Sequence, residues 1–273
     1  MKKGMMLMGA AVLAGGFMVS TASAHPLWML PSEFNLSTEE SFWITVDATA
    51  SHGVFSFDKP IGLDNVSIYG PENDRRRIGP YYKGQRRSVF DLEIAEQGTY
   101  KVELKTPVRY MTSYVVGERD TRRRMMATKI EAASQIPDDA REVTTTMAQN
   151  ISVFYVTQGA PSTAVLEPTG EGFELHALTH PSDVVVGEAA QFRFTYNGEP
   201  ISEMDVEVVP FGTPYRDSRL QTDLVSDADG TVSYTPALAG PHLLSANLRL
   251  AQESVLADQV GVNFLLSFEA LSQ

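Results

Sequence analysis

Strict alternation of apolar and polar residues marks the chain as a β protein. In Phe42–Thr49, Phe42, Ile44, Val46 and Ala48 fall on one side and Trp43, Thr45, Asp47 and Thr49 on the other, the period of a half-buried strand. Short strands are also expected at Val54–Phe57, Val66–Tyr69, Val89–Ile94, Tyr100–Leu104, Arg109–Val116 and Ile151–Thr157. Gly70-Pro71 and Gly98 supply turns between them. Between Asp120 and Gln135 the period changes: Met126, Ile130 and Ala133 recur at helical spacing, Asp120 or Thr121 can cap the start, and Pro137 stops the run. One short helical insertion near 120–136 is expected there.

Gly159–Thr163 has the composition of a linker. After it the strand series restarts at Phe173–His180, Ala190–Tyr196, Met204–Val209, Leu220–Ser226, Thr231–Tyr234, His242–Leu250 and Val260–Phe268. Asn197-Gly198 is a hairpin signal, and Asp227–Gly230 and Ala239–Pro241 read as turns. The pattern predicts an all-β chain of two immunoglobulin-like antiparallel β-sandwich domains, 25–158 and 164–273.

The first 24 residues stand apart. Lys2 and Lys3 precede an uncharged apolar run, and Ala22-Ser23-Ala24 is a small-x-small cleavage site, so residues 1–24 read as a secretory signal peptide. Cleavage after Ala24 would begin the periplasmic protein at His25 and leave it no other tie to the membrane. Of the 22 Lys and Arg residues, two lie in the leader, leaving 20 against 34 Asp and Glu. That acidic balance argues against nucleic acid as a partner. The absence of cysteine excludes disulfides and thiolate metal sites. The six methionines after the leader are scattered.

Any metal site must therefore be built from His, Asp, Glu, Met or the terminus. A free His25 offers its α-amine and its imidazole together. Pro26 has no amide hydrogen, which closes the mode that uses deprotonated amides next to the terminus. Further ligands must come from the folded chain. His52 sits in a loop past a strand end, and His242 begins a strand after Gly240-Pro241. If His176 and His180 lie on one strand, four residues separate them by roughly 13 Å, too far to share an ion whose bonds are about 2 Å. His180 is the preferred third ligand, with Asp183 or His52 as further candidates. Asp183 also suits a simple turn cap. Imidazole suits nickel, cobalt, copper or zinc alike. The run Asp227–Gly230 lacks the first ligand and the closing glutamate of a calcium loop. The arginine runs 75–77, 86–87 and 122–124 read as solvated faces paired with carboxylates. No nucleophile elbow, zinc-protease motif or phosphate loop occurs, so the chain is not expected to be an enzyme.

Several stretches resemble an uncharacterised family of exported bacterial proteins, grouped with the periplasmic component of nickel and cobalt uptake systems. They are His25–Ser32, Trp43–Ala48, Arg87–Asp91, Gly98–Tyr100, Lys129–Ala132 with Ile136-Pro137, Phe154–Ser162, Gly172–Asp183 with Gly187-Glu188, Tyr215–Asp217, Asp227–Gly230 and Ala239-Gly240. The resemblance implies a metal-related role and singles out His25 and the Thr179–Asp183 turn. The expected function is metal binding or delivery in the periplasm, with an envelope transporter or outer-membrane receptor as partner. The alternative is a non-catalytic structural or docking module of the cell envelope. A third, weaker reading is carbohydrate binding through Trp28, Trp43 or the tyrosines.

Overall fold

The computed structural model describes residues 25–252 and 254–273. The expected signal peptide, 1–24, lies outside the described residues. Among those residues no helix is long and apolar enough to cross a membrane.

The chain is nearly all β, and its sheets are largely antiparallel. A four-stranded sheet runs in the order Leu27–Pro31, Phe42–Ala50, Ser88–Ile94, Tyr82–Lys83. A second four-stranded sheet contains Phe173–Ala177, Ala190–Tyr196, Glu199–Pro200 and Thr231–Tyr234. Between them runs an eleven-stranded sheet that draws on both halves of the chain. Its centre is the 18-residue strand Arg141–Gln158. One edge of that strand pairs antiparallel with Gly98–Lys105 and Arg109–Val116. The other pairs in parallel with Gln259–Ala270, from Thr146↔Gln259 to Phe154↔Ser267.

This shared strand feeds two cores. Successive strand side chains point to opposite faces, and residues 151–158 are buried on both. Phe154 and Val156 join Met29, Ile44, Val46, Phe90 and Tyr100 beneath the N-terminal sheet. Ile151, Val153 and Tyr155 join Phe192, Phe194, Leu244, Phe264 and Phe268 beneath the C-terminal one. The continuous apolar run in the sequence reflects that double burial. Gly159–Thr163, the expected linker, follows this strand directly, while the eleven-stranded sheet continues across the boundary.

A third cluster ties the N-terminal strand to the far half. Trp28 is fully buried against Val54, Phe55, Val209, Leu243 and Leu265. Its ring meets Phe55 edge-on at 5.4 Å. Ser267 Oγ donates to the Met29 carbonyl at 2.6 Å. The Trp28 Nε1–H has no protein partner, an omission that costs about 1–3 kcal/mol and is carried by the packing.

Three local expectations are corrected. Val54–Phe57 is a turn rather than a strand. Val54 and Phe55 are neighbours and both buried, which a strand with one covered face cannot arrange, and Phe55 takes φ +51°. The helix shrinks to Lys129–Ala133. Its first expected turns are instead the strand Thr121–Met125, which pairs with Arg109–Val116. Gly117 and Asp120, at φ +70° and +51°, make the reversal between them. Thr128, not Asp120 or Thr121, caps the helix in a capping box with Glu131. Those hydrogen bonds hold the Glu131 carboxyl below its ordinary range. Met126 and Ile130, expected inward, are exposed, and Ala132 is the buried residue. Finally, the strand expected over Phe173–His180 ends at Ala177.

The shared strand predicts one cooperative unfolding transition in calorimetry, whereas independent sandwiches would give two. Phe154→Ala should lower stability by about 3–5 kcal/mol and shift that single transition as a whole.

Candidate functional site

His25 is placed by the register of the terminal strand. Leu27 pairs with Ala50 at the end of the Phe42–Ala50 strand. The Ser51 amide donates to the Pro26 carbonyl at 3.0 Å. Beyond Ala50 the chain turns through residues 51–58 and returns, with Ala50 and Lys59 exchanging backbone hydrogen bonds at 2.9 and 3.2 Å. Inside this turn Ser51 Oγ accepts from the Gly53 amide at 3.1 Å. At its end the Asp58 amide donates to Thr49 Oγ1 at 3.3 Å. The ladder and the turn set His25, His52 and Asp58 side by side.

The His25 and His52 ring centres lie 4.3 Å apart, with the planes tilted by 41°. His25 Nε2 is 3.3 Å from Asp58 Oδ2. His25 is half-buried and His52 exposed. Among the described residues no three His, Asp or Glu side chains are grouped tightly enough to hold an ion. Two imidazoles, a carboxylate and the α-amine that cleavage would free are what this corner offers. Asp58 was not singled out in the sequence. Its role depends on the return of the 51–58 turn, which an expected strand obscured.

His180 and Asp183 lie elsewhere and share no contact with His25. His180 precedes the 3₁₀ turn Pro181–Asp183 and caps it, its Nδ1 accepting from the Ser182 amide at 3.1 Å. The Ser182 hydroxyl lies 2.7 Å from the same nitrogen. This network assigns the ring proton to Nε2, which faces the Ser162 carbonyl at 3.2 Å and Thr99 Oγ1 at 3.1 Å. Thr99 and Ser162 also exchange hydrogen bonds, Thr99 amide to Ser162 Oγ at 3.0 Å and Ser162 amide to Thr99 Oγ1 at 3.1 Å. Buried Thr157 adds its hydroxyl to Thr99 at 3.1 Å. Both nitrogens of His180 are thereby committed, Nδ1 to its own turn and Nε2 to Thr99 in the other half. Asp183 is exposed and its amide donates to the His180 carbonyl at 2.9 Å. Gly98, at φ +124°, lets the backbone approach this cluster. A Cβ there would meet Pro71 at 2.8 Å and Ser162 Oγ at 2.9 Å.

The other histidines serve the C-terminal core. His176 Nε2 lies 3.1 Å from Thr195 Oγ1. His242 is fully buried, stacked on Phe268 at 5.3 Å, and its Nδ1–H donates to the Gly240 carbonyl at 2.8 Å. Burial holds His242 below its ordinary pKa, opposed by that carbonyl and reinforced by Arg216. Burial also depresses His176, against the pull of Glu174. Asp227 is the expected hairpin turn, with Oδ1 accepting from the Asp229 and Thr231 amides at 2.9 and 2.8 Å. Of the arginine runs, Arg87 pairs with Asp47 at 3.1 Å and Arg122 with Glu142 at 2.7 Å.

Fold and site together describe an all-β module with a histidine pair at its N-terminal corner and a hydrogen-bonded clamp between its halves. The chain belongs to the DUF4198 family, described as a domain of unknown function, whose profile matches residues 22–249. No curated protein matches the sequence. Among solved structures it is similar to the D0–D1 domain of intimin, at 13% identity over 90% of this chain and 98% of that one, TM-score 0.21. It is similar to the Escherichia coli adhesin FdeC at 15% identity, over 89% of this chain and 65% of that one, TM-score 0.21. A DUF3823 protein of Bacteroides uniformis shares 12% identity over 91% of this chain and all of its own, TM-score 0.23. The fold description rests on the strand pairing above, not on these likenesses.

Two outcomes follow for the histidines. His180→Ala should lower stability by about 1–3 kcal/mol, because it removes the Nε2 partner of the Ser162 carbonyl and of Thr99 Oγ1 and the Nδ1 cap of its own turn, as denaturant unfolding would measure. For His242 the folded pKa is depressed, so its contribution is complete above the unfolded value near 6.5 and is lost as pH falls through that value. Unfolding midpoints at pH 7.5 and 5.5 should show stability falling with acid. In His242→Phe the slope should be shallower by up to about 1.4 kcal/mol per pH unit.

Proposed function

We propose that the processed chain is a non-enzymatic metal-binding or metal-delivery protein of the cell envelope. The ion would be nickel, cobalt, copper or zinc, and an uptake system in the envelope would receive it. The observation that carries this reading is the His25–His52 pair. A ligating imidazole keeps its ring centre about 3 Å from the ion, given a metal–nitrogen bond of about 2 Å. Two imidazoles bound at right angles would then have centres about 4 Å apart, and these lie at 4.3 Å. The α-amine of a processed His25 would add a third nitrogen, chelating together with its own Nδ1, while Asp58, 3.3 Å from Nε2, would orient the ring from its other side. His180 leaves the ligand set in this proposal because its hydrogen bonds serve the clamp, and Asp183 because it sits in the turn His180 caps, away from His25.

Titration calorimetry with nickel, cobalt, copper and zinc tests it. A chain beginning at His25 should bind one of them at least tenfold more tightly than a chain that keeps Ala24, and His52→Ala should lose a comparable factor. His180→Ala should leave the affinity unchanged. Equal affinity with and without the extra residue would end the proposal.

The second reading is a structural or partner-docking module without an ion. It is favoured by Ile130 and Val255, 62% and 73% exposed, which both line an open groove of about 1010 Å³. Co-purification of an envelope protein that persists in chelator and is lost in an Ile130→Asp, Val255→Asp variant would favour it.

A further inference from the structure

The outer face of the N-terminal sheet carries an aromatic ring that core packing does not explain. Trp43 is 61% exposed, although tryptophan is on average among the more buried residues. It stands opposite Glu93 in the strand register, and Thr45, two residues on, stands opposite Asp91. The period of two puts Trp43, Asp91 and Glu93 on one face. The Arg75–Arg77 edge strand belongs to the eleven-stranded sheet and the Tyr82–Lys83 strand to the smaller one. The chain between them forms a second wall. The result is a groove of about 360 Å³ lined by Trp43, Arg76, Arg77, Pro80, Asp91 and Glu93.

The polar groups in this groove are already aimed. Thr45 Oγ1 donates to one oxygen of Asp91 at 2.8 Å, and Ser41 Oγ to one oxygen of Glu93 at 2.7 Å. Each carboxylate keeps its other oxygen for a ligand, and among the described residues neither forms an ion pair. Arg76 is fixed as part of the wall, donating to the Glu93 carbonyl at 3.1 Å with its guanidinium 5.7 Å from the Tyr100 ring centre. Arg77, next along the strand, alternates to its other face.

An exposed indole, two oriented carboxylates and a guanidinium make a selective combination. A small anion meets Asp91 and Glu93, and a small cation meets Arg76. A wholly apolar ligand would strip water from both carboxylates without replacing their hydrogen bonds. A neutral pyranose ring satisfies all of them. Its C–H face lies on the electron-rich face of the indole, its hydroxyls donate to the carboxylates, and they accept from the N–H groups that Arg76 keeps beyond its bond to Glu93. An all-equatorial hexose presents the flattest such face. The volume sits at the small end of the about 300–1,000 Å³ range of ligand clefts.

We propose that this groove is a glycan-binding subsite that stacks a neutral, glucose-type hexopyranose unit on Trp43. It is independent of the metal reading, since none of its residues belongs to the His25 corner.

The probes are cellohexaose and N-acetylated chitohexaose, titrated by calorimetry and by tryptophan fluorescence. Trp28, fully buried, is shielded, so a spectral change reports Trp43. Saturable binding with a blue shift is expected for one of the two. A response to chitohexaose alone assigns an N-acetylhexosamine, and a response to cellohexaose alone a plain glucan. Trp43→Ala should weaken binding at least tenfold and Asp91→Asn several-fold, while Trp43→Phe stays within a few-fold of the parent. Thermal midpoints should change little, because Trp43 contributes little burial. No saturable binding of either probe, or a Trp43→Ala protein that binds as tightly as the parent, overturns the proposal.

Discussion

The fold depends on one strand being apolar on both faces. Arg141–Gln158 belongs to the first half of the chain, yet its parallel partner is the last long strand, Gln259–Ala270. Phe154 and Val156 close one core while Ile151, Val153 and Tyr155 close the other. Removing this strand would expose apolar surface in both places at once. At about 25 cal/mol per Å² of such surface, neither half could absorb that loss without unfolding. Two sandwich layers built on a common sheet are therefore expected to unfold together.

The same arrangement fixes the N-terminal corner. Trp28 is pressed against Leu243 and Leu265, which stand on the face of the eleven-stranded sheet opposite Leu244 and Leu266. The terminal strand is thus held between the sheet it pairs with and the half of the molecule it packs on. His25 is three residues from that anchor. His25 is kept beside His52 and Asp58 by hydrogen bonds from Pro26 and Leu27 onward, which would hold a terminus freed there. The clamp of Thr99, Thr157, Ser162 and His180 holds the two halves together at a separate point.

Much of the fold could be read in the sequence, because period-two alternation is a local signal. Phe42–Ala50, Ala190–Tyr196 and Thr231–Tyr234 fall where their patterns put them. Misreadings came where a local pattern had two solutions. Val54–Phe57 is apolar because its turn covers Trp28, and Thr121–Met125 joins a hairpin although its residues tolerate a helix. The parallel pairing of Arg141–Gln158 with Gln259–Ala270 spans more than a hundred residues, and no local period encodes it. The candidate site was half legible. His25 and His52 could be named from donor chemistry, whereas Asp58 depended on the path of a turn. His180 and Asp183 stood out in the Gly172–Asp183 stretch, but that prominence reflects a joint between halves. The chain segments Gly98–Tyr100, Phe154–Ser162 and Gly172–Asp183 all meet there.

The central claim is that the register of the terminal strand delivers a free His25 to His52. An anomalous-difference map from crystals of the processed protein grown with copper or nickel tests it most directly. The account predicts one dominant peak within about 2 Å of nitrogens from both His25 and His52. A peak at His180, or none at the N-terminal corner of a protein proven to begin at His25, would contradict it.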